Sequence, residues 1–162
     1  MNEKIPLSVA IITKDEAENM PACLESVRFA DQVVVVDSGS TDDTVKIASD
    51  LGCDVFVEEW RGFGRQKQFA IDKCKHRWVL VLDADERIPS ETAGAISDIV
   101  LKEPGDVAGY SFPRRNWFQG RWIKHLWGGD RIVRLFQKNS GDRKSTRLNS
   151  SHATLSRMPS SA

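Results

Sequence analysis

The apolar positions of this chain fall into short unbroken runs that are separated by stretches of helical periodicity. The runs are nearly free of polar residues and occupy residues 7–13, 32–36, 54–57 and 78–82. Runs without polar alternation are typical of strands that are buried on both faces of a parallel sheet. The helical stretches between and after them occupy residues 19–27, 41–51, 66–75 and 90–101. We therefore predict an α/β fold with the order β-α-β-α-β-α-β-α and right-handed crossovers.

The last apolar run ends in three carboxylates within four positions, Asp83, Asp85 and Glu86. In open α/β sheets, ligands bind just past the carboxyl ends of the strands. Asp83 and Asp85 lie two apart around the small Ala84, so both carboxylates can turn toward one hard cation such as Mg²⁺ or Mn²⁺. The alternative is that they only cap a turn and keep the strand end soluble.

Polar groups also follow the earlier strands. Asp37 ends the second strand, where a carboxylate can accept hydrogen bonds from a ribose or a base, and a well-capped turn is the alternative. In that turn, Ser40 or Thr41 is predicted to cap the next helix. Arg65 and Lys67 stand at the start of the third helix, where the helix dipole favours acids. A phosphate-bearing ligand would explain them, and so would a solvated basic turn.

Residues 108–136 differ in character from the alternating first part. Short aromatic, strand-like pieces are predicted at 108–113, 117–123 and 131–136, and three of the five tryptophans lie in this region. Aromatic rings beside Arg and Asp side chains suit the faces and hydroxyls of a carbohydrate. A β-rich edge region with an aromatic core is the alternative, and composition leaves both open.

The composition favours a single domain from a reducing compartment. The chain has 162 residues, and its 23 basic and 23 acidic side chains cancel, so bulk charge does not indicate nucleic-acid binding. The three cysteines are odd in number and lack metal-binding spacing, which is typical of buried thiols rather than of a disulfide or zinc site. We find no signal peptide and no apolar run near the ~18 residues of a membrane span, so we expect a soluble body.

Residues 142–162 form a tail of different composition. They carry a net charge of +3, against −3 for residues 1–141, and they are rich in Ser and lack aromatic residues. Such a segment does not bury enough apolar surface to order itself. It also resembles the translation of sequencing-adapter DNA. We therefore expect a domain at 1–141 that is incomplete at its carboxyl end and a disordered, non-native tail at 142–162. A basic membrane-binding tail is the alternative.

Seven short segments together resemble a family-2 glycosyltransferase of the GT-A fold, and most closely the bacterial branch that is similar to lipopolysaccharide-core glucosyltransferases. The segments keep the order and spacing of the family and lie at residues 8–16, 36–42, 60–67, 78–86, 114–118, 120–123 and 134–136. The resemblance implies a Rossmann-like nucleotide-sugar-binding domain with a mostly parallel sheet, followed by a partial β-rich acceptor region.

The resemblance also implies roles for single residues. The residues it assigns to the donor nucleotide are Thr13, Glu16, Asp37, Lys67 and Asp83. Asp37 would hold the uracil or ribose of a UDP-sugar. Asp83 and Asp85 match the family's Asp-x-Asp motif, in which a divalent metal, Mn²⁺ or Mg²⁺, bridges to the diphosphate. Asp130 falls where the family places the acid that takes the proton of the acceptor hydroxyl, although the preceding Trp-Gly-Gly departs from the family's Trp-x-Pro.

The implied reaction is one displacement at the anomeric carbon, with inversion of configuration. Metal and basic residues neutralise the leaving diphosphate, and a carboxylate deprotonates the incoming hydroxyl. The implied partners are a UDP-sugar and a saccharide or lipid-linked acceptor of cell-envelope polysaccharide or lipopolysaccharide synthesis. The resemblance implies a cytoplasmic bacterial protein and allows a peripheral contact with the cytoplasmic face of the inner membrane.

Other classes compete with this interpretation. A haloacid-dehalogenase-like phosphatase also has Asp-x-Asp after an apolar strand, but on its first strand, and it has Thr or Val where this chain has Arg87. A non-catalytic nucleotide-sugar-binding remnant would fit an incomplete domain. A dinucleotide oxidoreductase and a P-loop nucleotidase are disfavoured, because neither the full Gly-x-Gly-x-x-Gly motif nor the Walker motif is present.

Overall fold

A computed structural model of the chain describes residues 3–102, 107–118, 121–123, 131–138, 148–150 and 155–157. Its helices are α1 (Met20–Ser26), α2 (Thr44–Asp50), α3 (Phe63–Lys73) and α4 (Ser90–Lys102). Its strands are β1 (Ile5–Thr13), β2 (Ala30–Asp37), β3 (Asp54–Val57), β4 (Trp78–Asp83), β5 (Glu86–Arg87), β6 (Gly109–Phe118), β7 (Arg121–Ile123), β8 (Arg131–Gln137), β9 (Leu148–Ser150) and β10 (Leu155–Arg157). None of the described helices is both long and apolar enough to cross a membrane.

The sheet has the strand order β3-β2-β1-β4-β8-β6-β10-β5. Its first four strands run parallel, and in their register Val9 of β1 lies opposite Val33 of β2 and Leu80 of β4. β8 then joins β4 in the antiparallel direction, with Phe136 opposite Val79. The predicted α/β fold with a mostly parallel sheet is therefore confirmed. This order brings the carboxyl ends of β2, β1 and β4 side by side at one edge of the sheet.

Neighbouring residues of the central strands face two separate hydrophobic cores. Ile11 belongs to the core that includes Met20 of α1 and Ile96 of α4. Ile12, the next residue along β1, belongs to the core that includes Ala70 of α3. Because helices cover both faces, the strands show no polar alternation. Burial of each large apolar side chain contributes roughly 1.5–3 kcal/mol to the stability of the fold. Because the strands are held firmly in this way, their carboxyl ends have fixed positions from which the loops start.

The starts of two helices differ from prediction. α2 begins at Thr44 without a side-chain cap, so the predicted cap by Ser40 or Thr41 is wrong. Both hydroxyls are instead used within the loops, where Ser40 bonds to Asp37 and Thr41 bonds to Asp15. α3 begins at Phe63, ahead of its predicted start at residue 66, because the Gln66 N–H donates to the Gly62 carbonyl at 3.0 Å and so closes an earlier first turn.

The part after α4 is β-rich, as predicted, but its strands are longer and more connected than the pattern suggests. β6 continues from 109 to 118 and pairs with β8 and β7. β9 and β10 lie inside the segment 142–162, for which the sequence predicts no order, and both pair with β6. The end of the natural domain at residue 141 stays a prediction.

Candidate functional site

The carboxylate of Asp37 shapes the turn that follows β2. Asp37 is almost fully buried, and its Oδ2 accepts hydrogen bonds from the backbone N–H groups of Gly39 and Ser40, both at 2.8 Å. Its Oδ1 is hydrogen-bonded to the Ser40 hydroxyl. Gly39 has a φ of +85°, a conformation that L side chains rarely adopt, so this turn requires glycine. The structure therefore places Asp37 at the carboxyl end of β2 with its own loop wrapped around it.

The loop after β1 is tied to the loop after β2. The Asp15 N–H donates to Ser40 Oγ at 2.7 Å, and the Thr41 N–H donates back to Asp15 Oδ1 at 2.7 Å. The Glu16 N–H donates to Thr44 Oγ1 at 2.8 Å. These bonds cross between two segments about 25 residues apart, so the two loops form one preorganised wall beside the strand ends.

Thr13, the last residue of β1, carries a polar atom that its surroundings leave unused. The residue is 6% exposed. Within the part of the chain that the structure describes, its Oγ1 is buried and has no hydrogen-bond partner. A buried hydroxyl without a partner costs about 1–3 kcal/mol. A ligand atom that reached this hydroxyl would remove the penalty.

The start of α3 closes the third side of the site. The Glu58 N–H donates to the carbonyl of Asp37 at 2.9 Å. Gln66 is buried, and its Nε2 donates to Ser38 Oγ at 3.2 Å. The Gln66 contact holds α3 beside the loop after β2, and the next residue, Lys67, reaches Asp83 at the end of β4.

Lys67 and Arg134 bracket the carboxylate of Asp83. Lys67 Nζ lies 2.7 Å from Asp83 Oδ1, and Arg134 Nη2 lies 3.5 Å from Asp83 Oδ2. Burial raises the pKa of the Asp83 carboxyl, but the hydrogen bond from Lys67 and the charge of Arg134 outweigh it, so this pKa lies below its usual value. Asp83 is therefore ionised near neutral pH, and its charge is balanced from two sides.

Arg134 is itself held by a buried acid, Glu86. Arg134 Nη2 lies 2.7 Å from Glu86 Oε1, and the two side chains are 3% and 0% exposed. The other oxygen of Glu86, Oε2, accepts the N–H of Asp83 at 3.0 Å. Glu86 thus contacts both the backbone of Asp83 and the guanidinium beside its carboxylate.

A hard divalent cation fits the chemistry of the two aspartates. Asp85 follows Asp83 in the turn between β4 and β5 and is 8% exposed. No cluster of three or more His, Cys, Asp or Glu residues able to hold a metal occurs among the described residues. Mg²⁺ and Mn²⁺ need no such cluster, since they take one or two carboxylates and complete their coordination with water and substrate phosphates. The oxygen donors of Asp83 and Asp85 fit this pattern.

The structure brings most of the predicted site residues to one edge of the sheet. Thr13 and Glu16 lie at or just beyond the carboxyl end of β1, Asp37 lies at that of β2, and Asp83 and Asp85 lie at or just beyond that of β4. Lys67 reaches Asp83 from α3. Asp130 lies outside the described residues. The roles of all seven residues stay predictions.

Sequence reasoning gave no role to Glu86 or Arg134. Glu86 was noted only as the third of three carboxylates at the end of the apolar run 78–82. The sequence did contain a signal for Arg134, because this residue is a lone cation inside the apolar run Ile132 to Phe136. A cation in a buried strand needs an acidic partner, but the pattern alone does not say which acid lies opposite.

Residues 8–160 match the family described as Glycosyl transferase family 2. An uncharacterized glycosyltransferase of Rickettsia felis is 46% identical over 62% of this chain and 36% of its own length. The lipopolysaccharide core biosynthesis glycosyltransferase LpsC of Rhizobium meliloti is 34% identical over 74% of this chain and 46% of its own length.

Among solved structures, the mannosyltransferase PcManGT of Pyrobaculum calidifontis, in complex with GDP-Man and Mn²⁺, is similar in fold. It superposes with a TM-score of 0.57 at 25% identity, over 69% of this chain and 36% of its own. The predicted GT-A fold is thereby confirmed. The chain spans about a third to a half of the length of the curated relatives it matches.

Proposed function

The chain belongs to glycosyl transferase family 2, and from that membership we propose that it takes part in transferring a sugar from a nucleotide-sugar donor held at the carboxyl ends of β1, β2 and β4. The observation that carries the proposal is the bracketing of Asp83 by Lys67, at 2.7 Å, and Arg134, at 3.5 Å. An aspartate pair with cations beside it, at this edge of the sheet, suits a diphosphate and a divalent ion.

The nucleoside end of the donor is proposed to lie against the wall formed by the loops after β1 and β2. The unpartnered Thr13 Oγ1 supports this placement, because a ribose hydroxyl or base atom would satisfy it. Glu16 and Asp37 flank the same wall. We expect uracil as the base, whereas the similar mannosyltransferase was solved with GDP-Man. A comparison of UDP with GDP therefore tests the nucleotide.

The diphosphate end is proposed to lie at Asp83, Asp85 and Lys67. A bound Mn²⁺ or Mg²⁺ would be held by the two aspartates and would neutralise charge on the leaving diphosphate. Lys67 is about a quarter exposed at its side chain, so its ammonium is able to face the phosphates. The complex of the similar mannosyltransferase with Mn²⁺ supports a metal-dependent reaction.

The acceptor is proposed to be a saccharide or a lipid-linked saccharide of the cell envelope, and the likeness to LpsC supports the lipopolysaccharide core. Asp130 is proposed to take the proton of the attacking hydroxyl, which gives inversion in one displacement. A cytoplasmic location, with a peripheral contact at the inner membrane, completes this proposal.

The deciding experiment measures nucleotide binding by titration calorimetry with and without MnCl₂. We expect wild type to bind UDP more tightly than GDP and only with Mn²⁺, and we expect Asp83→Ala and Asp85→Ala to abolish that binding. Asp98→Ala is the matched control, because Asp98 is an exposed acid on α4, paired only loosely with Lys102 at 3.5 Å. Wild-type-like binding by both site variants would overturn the site assignment.

Asp130→Asn separates binding from transfer. We expect this variant to bind UDP and Mn²⁺ like wild type and to lose transfer of labelled sugar from UDP-glucose or UDP-galactose to deacylated lipopolysaccharide core. Transfer at the wild-type rate would remove Asp130 from its proposed role. Binding without transfer by wild type itself would favour a donor-binding function for this chain.

A further inference from the structure

We propose that Arg134 and Glu86 are positioning residues that fix the carboxylate of Asp83 for binding of the donor and its metal. This inference rests on the proposed function, since Asp83 is the group through which both residues act. Neither side chain is assigned a role by the family likeness.

The turn after β4 is closed by the side chain of Glu86. Asp83 ends the strand, and residues 84–85 form a turn that leads into β5. Glu86 Oε2 accepts the N–H of Asp83 at 3.0 Å, which closes this turn on itself. The backbone that carries Asp83 is therefore fixed by a side chain three residues further along.

The guanidinium of Arg134 joins three groups. Its Nη2 lies 2.7 Å from Glu86 and 3.5 Å from Asp83 Oδ2, and its Nη1 donates to the carbonyl of Val81 at 3.4 Å. A planar guanidinium presents donors in a fixed fork, so it can hold two acids and a carbonyl in one arrangement. A lysine ammonium at this place has no such fork.

Arg134 and Glu86 are too deeply buried to contact the donor directly. The side chains of Arg134 and Glu86 are 3% and 0% exposed, whereas those of Lys67 and Asp83 are 27% and 25% exposed, so a diphosphate at this edge of the sheet meets Asp83 and Lys67 first. Burial also speaks against a purely stabilising purpose. A buried ion pair is often no more stabilising than apolar side chains of similar volume. An apolar pair at these two positions would not hold the carboxylate of Asp83 in place, whereas the ion pair of Arg134 and Glu86 does.

The test compares Arg134→Lys and Glu86→Gln with wild type. Both substitutions keep the approximate size of the side chain. Arg134→Lys removes the forked guanidinium, and Glu86→Gln removes the negative charge that orients this guanidinium. We expect the Kd of Mn²⁺, measured by electron paramagnetic resonance in the presence of saturating UDP, to rise about 10- to 100-fold, the usual effect of losing a group that orients a metal ligand. Arg134→Lys should have the larger effect.

A stability control separates positioning from general loosening of the fold. Val100→Ala removes apolar volume from α4 at a fully buried position in the core that also contains Leu82, and it changes no charged or hydrogen-bonding group of the site. Urea unfolding gives the loss of stability in each variant. We expect Val100→Ala to lose stability and to keep the wild-type Kd of Mn²⁺. We also expect Glu86→Gln to bind Mn²⁺ weakly at temperatures where it is fully folded.

The outcomes divide cleanly between the two proposals. If wild type binds Mn²⁺–UDP and both positioning variants stay within about twofold of it, the inference is overturned and the proposed function stands. If the variants weaken binding only as far as Val100→Ala does at equal stability, the role is structural and the inference is again overturned. If wild type does not bind Mn²⁺–UDP, the proposed function fails and the inference fails with it.

Discussion

At the scale of single residues, charged side chains stand at both ends of the parallel strands. At the carboxyl ends, Asp83 is balanced by Lys67 and Arg134. At the amino ends, Asp31 at the start of β2 accepts bonds from Lys75 Nζ and His76 Nε2, both at 2.8 Å. The first cluster is partly buried, whereas Asp31 is exposed. Ion pairs therefore occur at the proposed site at one end of the strands, and at the other end they link the start of β2 to residues 75–76.

The exposed cluster predicts a dependence of stability on pH. The hydrogen bond from Lys75, and then that from His76, lower the pKa of Asp31 from 3.8 to about 2. Because the folded state binds this proton more weakly than the unfolded state, the stabilisation is present above pH 4 and is lost as the pH falls toward 2.

Urea unfolding of wild type and Asp31→Asn between pH 6 and pH 2 measures this effect. We expect wild type to be the more stable protein at pH 6 and the difference to shrink below pH 4. High salt should reduce the difference at every pH, because the cluster is exposed. A difference that is constant down to pH 2 would contradict the assignment.

At the scale of elements, the turn into α3 depends on one glycine. Gly62 has φ +89° and ψ 152°, a conformation that is essentially restricted to glycine. It precedes the helix that presents Gln66 and Lys67 to the site, and it separates Trp60 from Phe63, whose rings meet edge to face at 4.8 Å. The backbone at this position therefore sets the direction of α3.

Gly62→Ala and Gly94→Ala form a matched pair of substitutions. No atom lies within 4 Å of the added Cβ at either position, so only backbone conformation distinguishes them. We expect Gly62→Ala to lower the free energy of unfolding by about 1–3 kcal/mol and to weaken nucleotide binding. Gly94→Ala, at an exposed position of α4, should raise the free energy of unfolding by about 0.5–1 kcal/mol. If chemical denaturation gave the same change in the free energy of unfolding for both variants, the backbone conformation at Gly62 would not require glycine.

The same elements show how far the sequence could be interpreted. Unbroken Val and Leu runs predicted the four parallel strands, and Asp37, Asp83 and Asp85 marked their carboxyl ends, because both signals are local. The cap of α2 was mispredicted because Ser40 and Thr41 bond across to residues on other segments. The link between Glu86 and Arg134 spans 48 residues and depends on the pairing of β8 with β4, which no local pattern specifies.

At the scale of the whole molecule, the three cysteines report on the packing of the fold. They are free thiols, with Cys23 and Cys74 buried and Cys53 partly exposed. Burial raises the pKa of Cys23 to about 12, with the charge of Glu86 adding to it, and burial raises those of Cys53 and Cys74 to about 11. Few thiolates exist at pH 8 in the folded chain.

Reaction with a disulfide reagent at pH 8 tests this packing. We expect Cys53 to react first, Cys23 to react last, and all three thiols to react rapidly after denaturation in urea, because the thiolate is the reacting form. Rapid labelling of Cys23 in the native chain would mean that the core around α1 opens far more readily than its burial implies.

The position of Arg134 has a consequence for the order of events during synthesis. Asp83 and Glu86 leave the ribosome 51 and 48 residues ahead of it. Until β8 emerges and pairs with β4, Glu86 lacks the guanidinium of Arg134 that accompanies it into the interior. The first four strands are therefore able to assemble early, while the contacts of Arg134 with Asp83 and Glu86 form only when β8 has been synthesised. Nucleotide capture on stalled chains would mark that moment of translation.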